Sequence, residues 1–114
     1  MDKTQLEHLI DLIQEAVACL GRLKNSYEYQ LAPVFVKSLD TLQTPAVSRY
    51  QQILLLSSVQ RRVSFAEEKV VSGLIHDNSV TFIQTSDLVR VRLICHEILT
   101  NLVEAIDKLK KAKP

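Results

Sequence analysis

Chain breakers are scarce. Gly21 and Gly73 are the sole glycines, and Pro33, Pro45 and Pro114 the sole prolines, in 114 residues. A β-sandwich or barrel turns every few residues and draws on more of both. Long uninterrupted elements are therefore expected. The spacing between breakers decides their kind. Leu6, Leu9, Ile13, Ala16, Leu20, Leu23 and Tyr27 recur at steps of three and four, which places them on one face of a helix. Ile10, Leu12, Val17 and Cys19 widen that stripe, while Glu7, Asp11, Gln14, Glu15 and Arg22 hold the other face. Thr4-x-x-Glu7 reads as a capping box at the start. The end falls between Leu23 and Gln30. Gly21 weakens this helix by about 1 kcal/mol and is expected to mark a close contact.

Three further segments follow. Pro33, with Val34, Phe35, Leu39 and Leu42 after it, suits a short helix carrying Pro33 in its first turn. Thr44-Pro45 combines an N-cap residue with proline at the first helical position. It predicts a third helix from Pro45 to about Ile75. Val47, Tyr50, Leu54, Leu55, Val59, Val63, Ala66, Val70 and Leu74 form its stripe. His76-Asp77-Asn78-Ser79 is a break, and Val80-Thr81-Phe82-Ile83 reads as an extended connector. Ser86 or Asp87 then caps a last helix to about Lys111, whose seam is Val91, Cys95, Ile98, Leu102, Ala105 and Leu109. The expectation is an all-α fold: one domain over residues 1–114, an antiparallel helical bundle of three long helices plus one short helix.

Composition narrows the function classes. Hydrophobic residues make up 46% of the chain, near the globular norm, which argues against disorder. Aromatics are only 5%, so the core must be aliphatic. A net charge of +1 supplies no field for nucleic acid or anionic lipid. Lys108, Lys110, Lys111 and Lys113 form the one basic cluster and read as compensation for a helix C-terminus. No apolar run approaches the roughly 18 residues of a membrane span, and Met1-Asp2-Lys3-Thr4 does not begin a signal peptide. Cys19 and Cys95 sit within helical apolar patterns, as free thiols do in a reducing compartment. The chain is expected to be intracellular, cytoplasmic or nuclear.

Chemistry-bearing motifs fail at named residues. His96-Glu97 begins like a zinc-protease HExxH, but Thr100 stands at the fifth position. Cys95 and His96 diverge by about 100° on a helix. Two glycines build no phosphate loop, and Glu67-Glu68 point apart. No catalytic residue, metal ligand or cofactor is assigned. Arg61-Arg62-Val63-Ser64-Phe65 resembles two linear motifs. Arg-Arg-x-Ser is similar to a basophilic kinase site with Ser64 as the phosphate acceptor, and Arg-Val-x-Phe looks like a phosphatase-docking motif. The latter binds in extended form, whereas Val63 keeps helical step with Val59, Ala66 and Val70. An all-helical chorismate mutase offers a fold-level analogy, with Arg49, Arg61, Arg62 and Glu67 in the pocket role.

The surplus apolar surface is the stronger clue. Ile53-Leu54-Leu55-Leu56 is apolar on every face for one turn, and Leu99, Val103 and Ile106 broaden the last helix beyond a single seam. Such arcs exceed what a small bundle needs for its own burial. These seven residues are therefore expected to contact a protein partner or a second copy. The function expected is a non-catalytic interaction or assembly subunit. The alternatives are a small helical enzyme and a signalling regulator acting through Arg61–Phe65.

Overall fold

Four side-chain oxygens start the four helices of the computed structural model, which describes residues 1–112. Asp2 accepts from Gln5 N at 2.8 Å and opens α1, Lys3–Leu23. Asn25 accepts from Tyr27 N at 3.0 Å and opens α2, Ser26–Leu42. Ser48 accepts from Gln51 N at 3.1 Å and opens α3, Arg49–His76. Thr81 accepts from Gln84 N at 3.2 Å while Gln84 Oε1 accepts from Thr81 N at 3.0 Å. This reciprocal capping box opens α4, Phe82–Lys111. Each cap satisfies backbone donors that the first helical turn leaves orphaned.

Several expected boundaries move. Asp2, not Thr4, caps the first helix. The second helix is not short: it has 17 residues and carries Pro33 in its interior. Proline there removes one backbone donor and costs about 3 kcal/mol in an exposed helix interior. Pro33 is exposed, and Leu31 and Phe35 on either side of it are fully buried. Their burial offsets the local penalty. Thr44 does not cap the third helix. Its hydroxyl donates back to Asp40 O at 2.9 Å, and residues 43–48 form the connection to α3. Val80–Ile83 is not an extended connector, because Thr81 caps α4 and Phe82 begins it. Asp87, expected as a cap, lies inside α4 and takes Arg22 at 2.9 Å.

The fold is an all-α four-helix bundle, with principal extents of 52 × 21 × 20 Å. A 30-residue helix is about 45 Å long, so α4 sets the long dimension. α1 packs against α2 and α4, and α3 packs against the same two. Among the described residues, the backbones of the diagonal pairs, α1 with α3 and α2 with α4, do not come close. The four helices thus ring one core. Leu9, Ile13, Ala16 and Leu20 enter it from α1, and Leu31 and Phe35 from α2. Val59, Val63, Ala66 and Val70 enter from α3, and Leu88, Val91, Cys95, Ile98 and Leu102 from α4. Fully burying one of the Leu, Ile, Val or Phe side chains among these contributes about 1.5–3 kcal/mol.

Polar contacts lace α1 to α4 along the bundle. Gln5 reaches Asn101 O at 3.4 Å, His8 meets Glu97 at 3.0 Å, Arg90 meets Glu15 at 2.6 Å, and Arg22 meets Asp87. Exposed pairs of this kind are worth about 0–1 kcal/mol each. They register the helices more than they hold them. Lys108 and Lys111 pair with Glu104 and Asp107 one turn back, the i,i+4 arrangement that gives an exposed helix weak support. Lys113 of the same basic cluster lies outside the described residues.

Candidate functional site

The seven residues expected to make contacts fall on two adjacent helices, but not in one orientation. Leu56 and Ile106 are buried and complete the core. Ile53 and Leu99 are half-buried against that core. Leu55 is half-buried and lines a cavity at one end of the bundle. Leu54 and Val103 face outward, with 50% and 54% of their surface exposed. The start of α3 lies beside the end of α4, because Arg49 donates to Ala112 O. Gln60 of α3 shares a groove with Val103, Ile106, Asp107 and Lys110. The outward members of the set are therefore Leu54 and Val103.

Other exposed apolar residues were not singled out by pattern. Tyr50, Phe65 and Ile75 lie on α3 and Phe82, Val89 and Leu93 on α4. Tyr50, expected within the inward stripe of the third helix, is exposed. On α3, Leu54, Arg61, Glu68 and Ile75 repeat at sevenfold spacing and all face solvent. A hydrophobicity stripe passes over this line, because two of its four members are charged.

The two ends of the bundle differ in chemistry. At the α2–α3 connection, Met1, Leu6, Leu42, Pro45, Leu55 and Leu56 are among the walls of a largely apolar cavity of about 260 Å³. At the other end, Tyr27 Oη donates to Asp77 Oδ2 at 2.7 Å. Ser79 reaches Asp77 Oδ1 from its backbone N–H at 2.9 Å and its hydroxyl at 2.6 Å. These donors hold the Asp77 carboxyl below its ordinary value, with the Ser79 hydroxyl the largest cause. Desolvation, then the bond to Asp77, push the Tyr27 phenol up to about 12. Gly73 makes the arrangement possible. A Cβ there would lie 2.7 Å from Tyr27 Cζ and 2.8 Å from Cε1. Gly21, expected to mark a close approach, has nothing within 4 Å of its would-be Cβ. The close approach belongs to the other glycine.

The residues of the enzyme analogy are dispersed. Arg49 sits at the start of α3 and Arg61 is exposed. Arg62 donates to Thr41 Oγ1 on α2 at 2.7 Å. Glu67 lies on the opposite flank of α3, in a shallow groove with Val71, Arg92, Leu93 and His96. Arg61–Phe65 is continuous helix, and Val63 is fully buried, so this segment does not present the extended form that a docking motif needs. Ser64 is half-buried within α3. Of the would-be zinc motif, Glu97 pairs with His8 and Thr100 donates to His96 O. Among the described residues no three His, Cys, Asp or Glu side chains cluster as metal ligands do.

Both cysteines are free and buried. Burial pushes the Cys95 thiol up to about 12 and raises that of Cys19 as well, despite a contact from Arg22. Neither is poised as a thiolate nucleophile. No described helix is long and apolar enough to cross a membrane. Comparison with protein-family models, with curated proteins and with solved structures finds no match.

Proposed function

We propose that this chain is a non-catalytic interaction or assembly subunit whose outward apolar positions on α3 and α4 bind partner helices or a second copy. One observation carries the reading. Leu54 and Val103 take no part in the buried core and remain substantially exposed on neighbouring helices. Exposed aliphatic side chains next in sequence or on the same helix as half-buried Ile53 and Leu99 are apolar surface of the kind a partner helix covers. The reading includes antiparallel packing of neighbouring helices. The α1–α4 contacts support it, since residue numbers rise on α1 from Gln5 to Arg22 as they fall on α4 from Asn101 to Asp87. It also assigns the chain to a reducing interior, cytoplasmic or nuclear, on the strength of two buried free thiols.

The test is to compare Leu54→Asp, Val103→Asp and the double variant with wild type by chemical cross-linking and affinity capture from the native source. Circular dichroism checks that helix content is kept. Loss of a stoichiometric complex from folded variants supports the reading. Complexes that survive both substitutions, or a wild type that forms none, overturn it.

A further inference from the structure

Among the described residues, the outer face of α3 carries a heptad line whose reversal keeps apolar residues at the ends and exchanges the opposite charges between them. Leu54, Arg61, Glu68 and Ile75 are each seven residues apart and all exposed. Sevenfold spacing keeps residues on one side of a helix, with a drift of about 20° per heptad that a shallow left-handed crossing absorbs. Leu54 and Ile75 are placed symmetrically about the Ser64–Phe65 peptide bond, and so are Arg61 and Glu68. Ser57 and Ser72 on the same side share that centre and keep the flanks narrow. Neither Arg61 nor Glu68 forms an ion pair among the described residues, whereas Arg22, Arg90, Lys108 and Lys111 all do.

We propose that this face is the contact of a two-fold homodimer in which α3 of one copy lies antiparallel to α3 of the other. Two-fold rotation about the Ser64–Phe65 bond sets Leu54 against Ile75 of the second copy and Arg61 against Glu68, each twice. Parallel alignment in register sets Arg61 against Arg61 and Glu68 against Glu68, and like charges in contact oppose it. The surface is thus complementary to itself in one orientation alone, the requirement for an isologous interface. Phe65, 47% exposed with Lys69 held 5.5 Å from its ring centroid, lies at the crossing point and supplies apolar area there.

Size sets the strength. The line from Leu54 to Ile75 is about 32 Å long at the helical rise, and one helix covers a strip about 10 Å wide. Roughly 300 Å² per copy falls short of the ~800 Å² of a standard stable interface. The dimer is therefore weak, forming at high protein concentration, and salt weakens it further.

The inference rests on the interaction reading and names the partner as a second copy. Sedimentation equilibrium of the full chain up to about 1 mM reads it. Arg61→Glu and Glu68→Arg each weaken dimerisation at least tenfold. The double reversal Arg61→Glu/Glu68→Arg returns the Kd to within about threefold of wild type, as a coupled pair requires. Both positions are exposed, so helix content by circular dichroism stays constant. A chain that remains monomeric at 1 mM overturns the proposal, as does a dimer indifferent to either reversal or not rescued by the double change. A dimer broken by Val103→Asp but not by Arg61→Glu also overturns it, while leaving the wider interaction reading standing.

Discussion

The two ends of the bundle solve the same problem in opposite ways. At the end where α1 gives way to α2 and α3 to α4, the chain is tied by specific contacts. The link between α1 and α2 is two residues, and Lys24 takes the left-handed conformation there, φ 50°. Tyr27 bonds Asp77 across the end, Gln84 reaches Leu23 O at 3.4 Å, and Gly73 admits the Tyr27 ring. At the other end, the six-residue connection 43–48 and the N-terminal Met1 lie over an apolar cavity. Arg49 to Ala112 O and Arg62 to Thr41 Oγ1 are cross-ties there. The tied end gains specificity from directional bonds, while the open end relies on apolar surface that its lining fills incompletely.

Truncating one leucine at each end tests that contrast at its largest. Leu23 is 4% exposed and Leu42 9%. Leu23→Ala leaves a void that tight surroundings do not close, and is expected to cost about 3 kcal/mol. Leu42→Ala enlarges a space that already exists, so a cost of about 2 kcal/mol is expected, the low end for such changes. Urea denaturation with a common slope measures both. Equal losses, or a larger loss at Leu42, would break the distinction between the ends.

The same substitution at the two glycines is expected to act with opposite signs. Gly73→Ala drives a methyl into the Tyr27 ring and breaks the Tyr27–Asp77 bond. The overpacking penalty exceeds the gain in helix propensity, for a net loss of about 1–2 kcal/mol. Gly21 is helical and faces open space, so Gly21→Ala keeps the propensity gain of about 1 kcal/mol. Thermal midpoints moving in opposite directions confirm it.

How far this was legible in the sequence follows from the same residues. Helical periodicity identified the all-α class and the inward seams. Ile13, Ala16 and Leu20 on α1, Val59, Val63 and Val70 on α3, and Ile98 and Leu102 on α4 are all in the core. Helix starts were not legible, because the chain offers several capping oxygens near each start and tertiary position selects among them. Thr4, Thr44 and Asp87 are chemically able caps, but Asp2, Ser48 and Thr81 are the ones at the helix ends. Within the candidate surface, a four-residue apolar run presents every direction. Pattern alone could not assign Leu54 outward and Leu56 inward. The sevenfold line on α3 escapes pattern for a related reason: Arg61 and Glu68 read as solvated polar positions, and the exposure of Leu54 and Ile75 is what aligns them.

Removing a cap at each end gives a smaller effect. Thr81 belongs to a reciprocal capping box, so Thr81→Ala leaves Gln84 N–H without its acceptor and loosens the return bond from the residue-81 N–H to Gln84 Oε1, and is expected to cost about 1.5 kcal/mol. Ser48 satisfies one donor, and Ser48→Ala is expected to cost about 0.7 kcal/mol. Amide exchange in the first turns of α4 and α3 reports each loss locally. Exchange that accelerates equally at both ends would show that the tied end gains nothing from its second bond.

Tyr27→Phe probes the tied end most gently, through pH. The folded phenol sits at about 12, above its ordinary 10.0. A raised folded value stabilises fully below the unfolded one, and that share is lost as pH climbs from about 10 through about 12. Wild-type stability should therefore decline over that window by an amount that Tyr27→Phe removes. At acid pH the sign is reversed. Asp77 is depressed in the folded chain, so its share is present above the ordinary carboxylate value and is lost as pH falls through the folded one. The Ser79 hydroxyl, the largest cause of that depression, remains in Tyr27→Phe. The acid limb should thus shift less than the alkaline limb, and the Asp77 carboxyl, followed by NMR titration, should rise only part of the way to its ordinary value. A full return would make Tyr27, not the Ser79 turn, the main tie at this end.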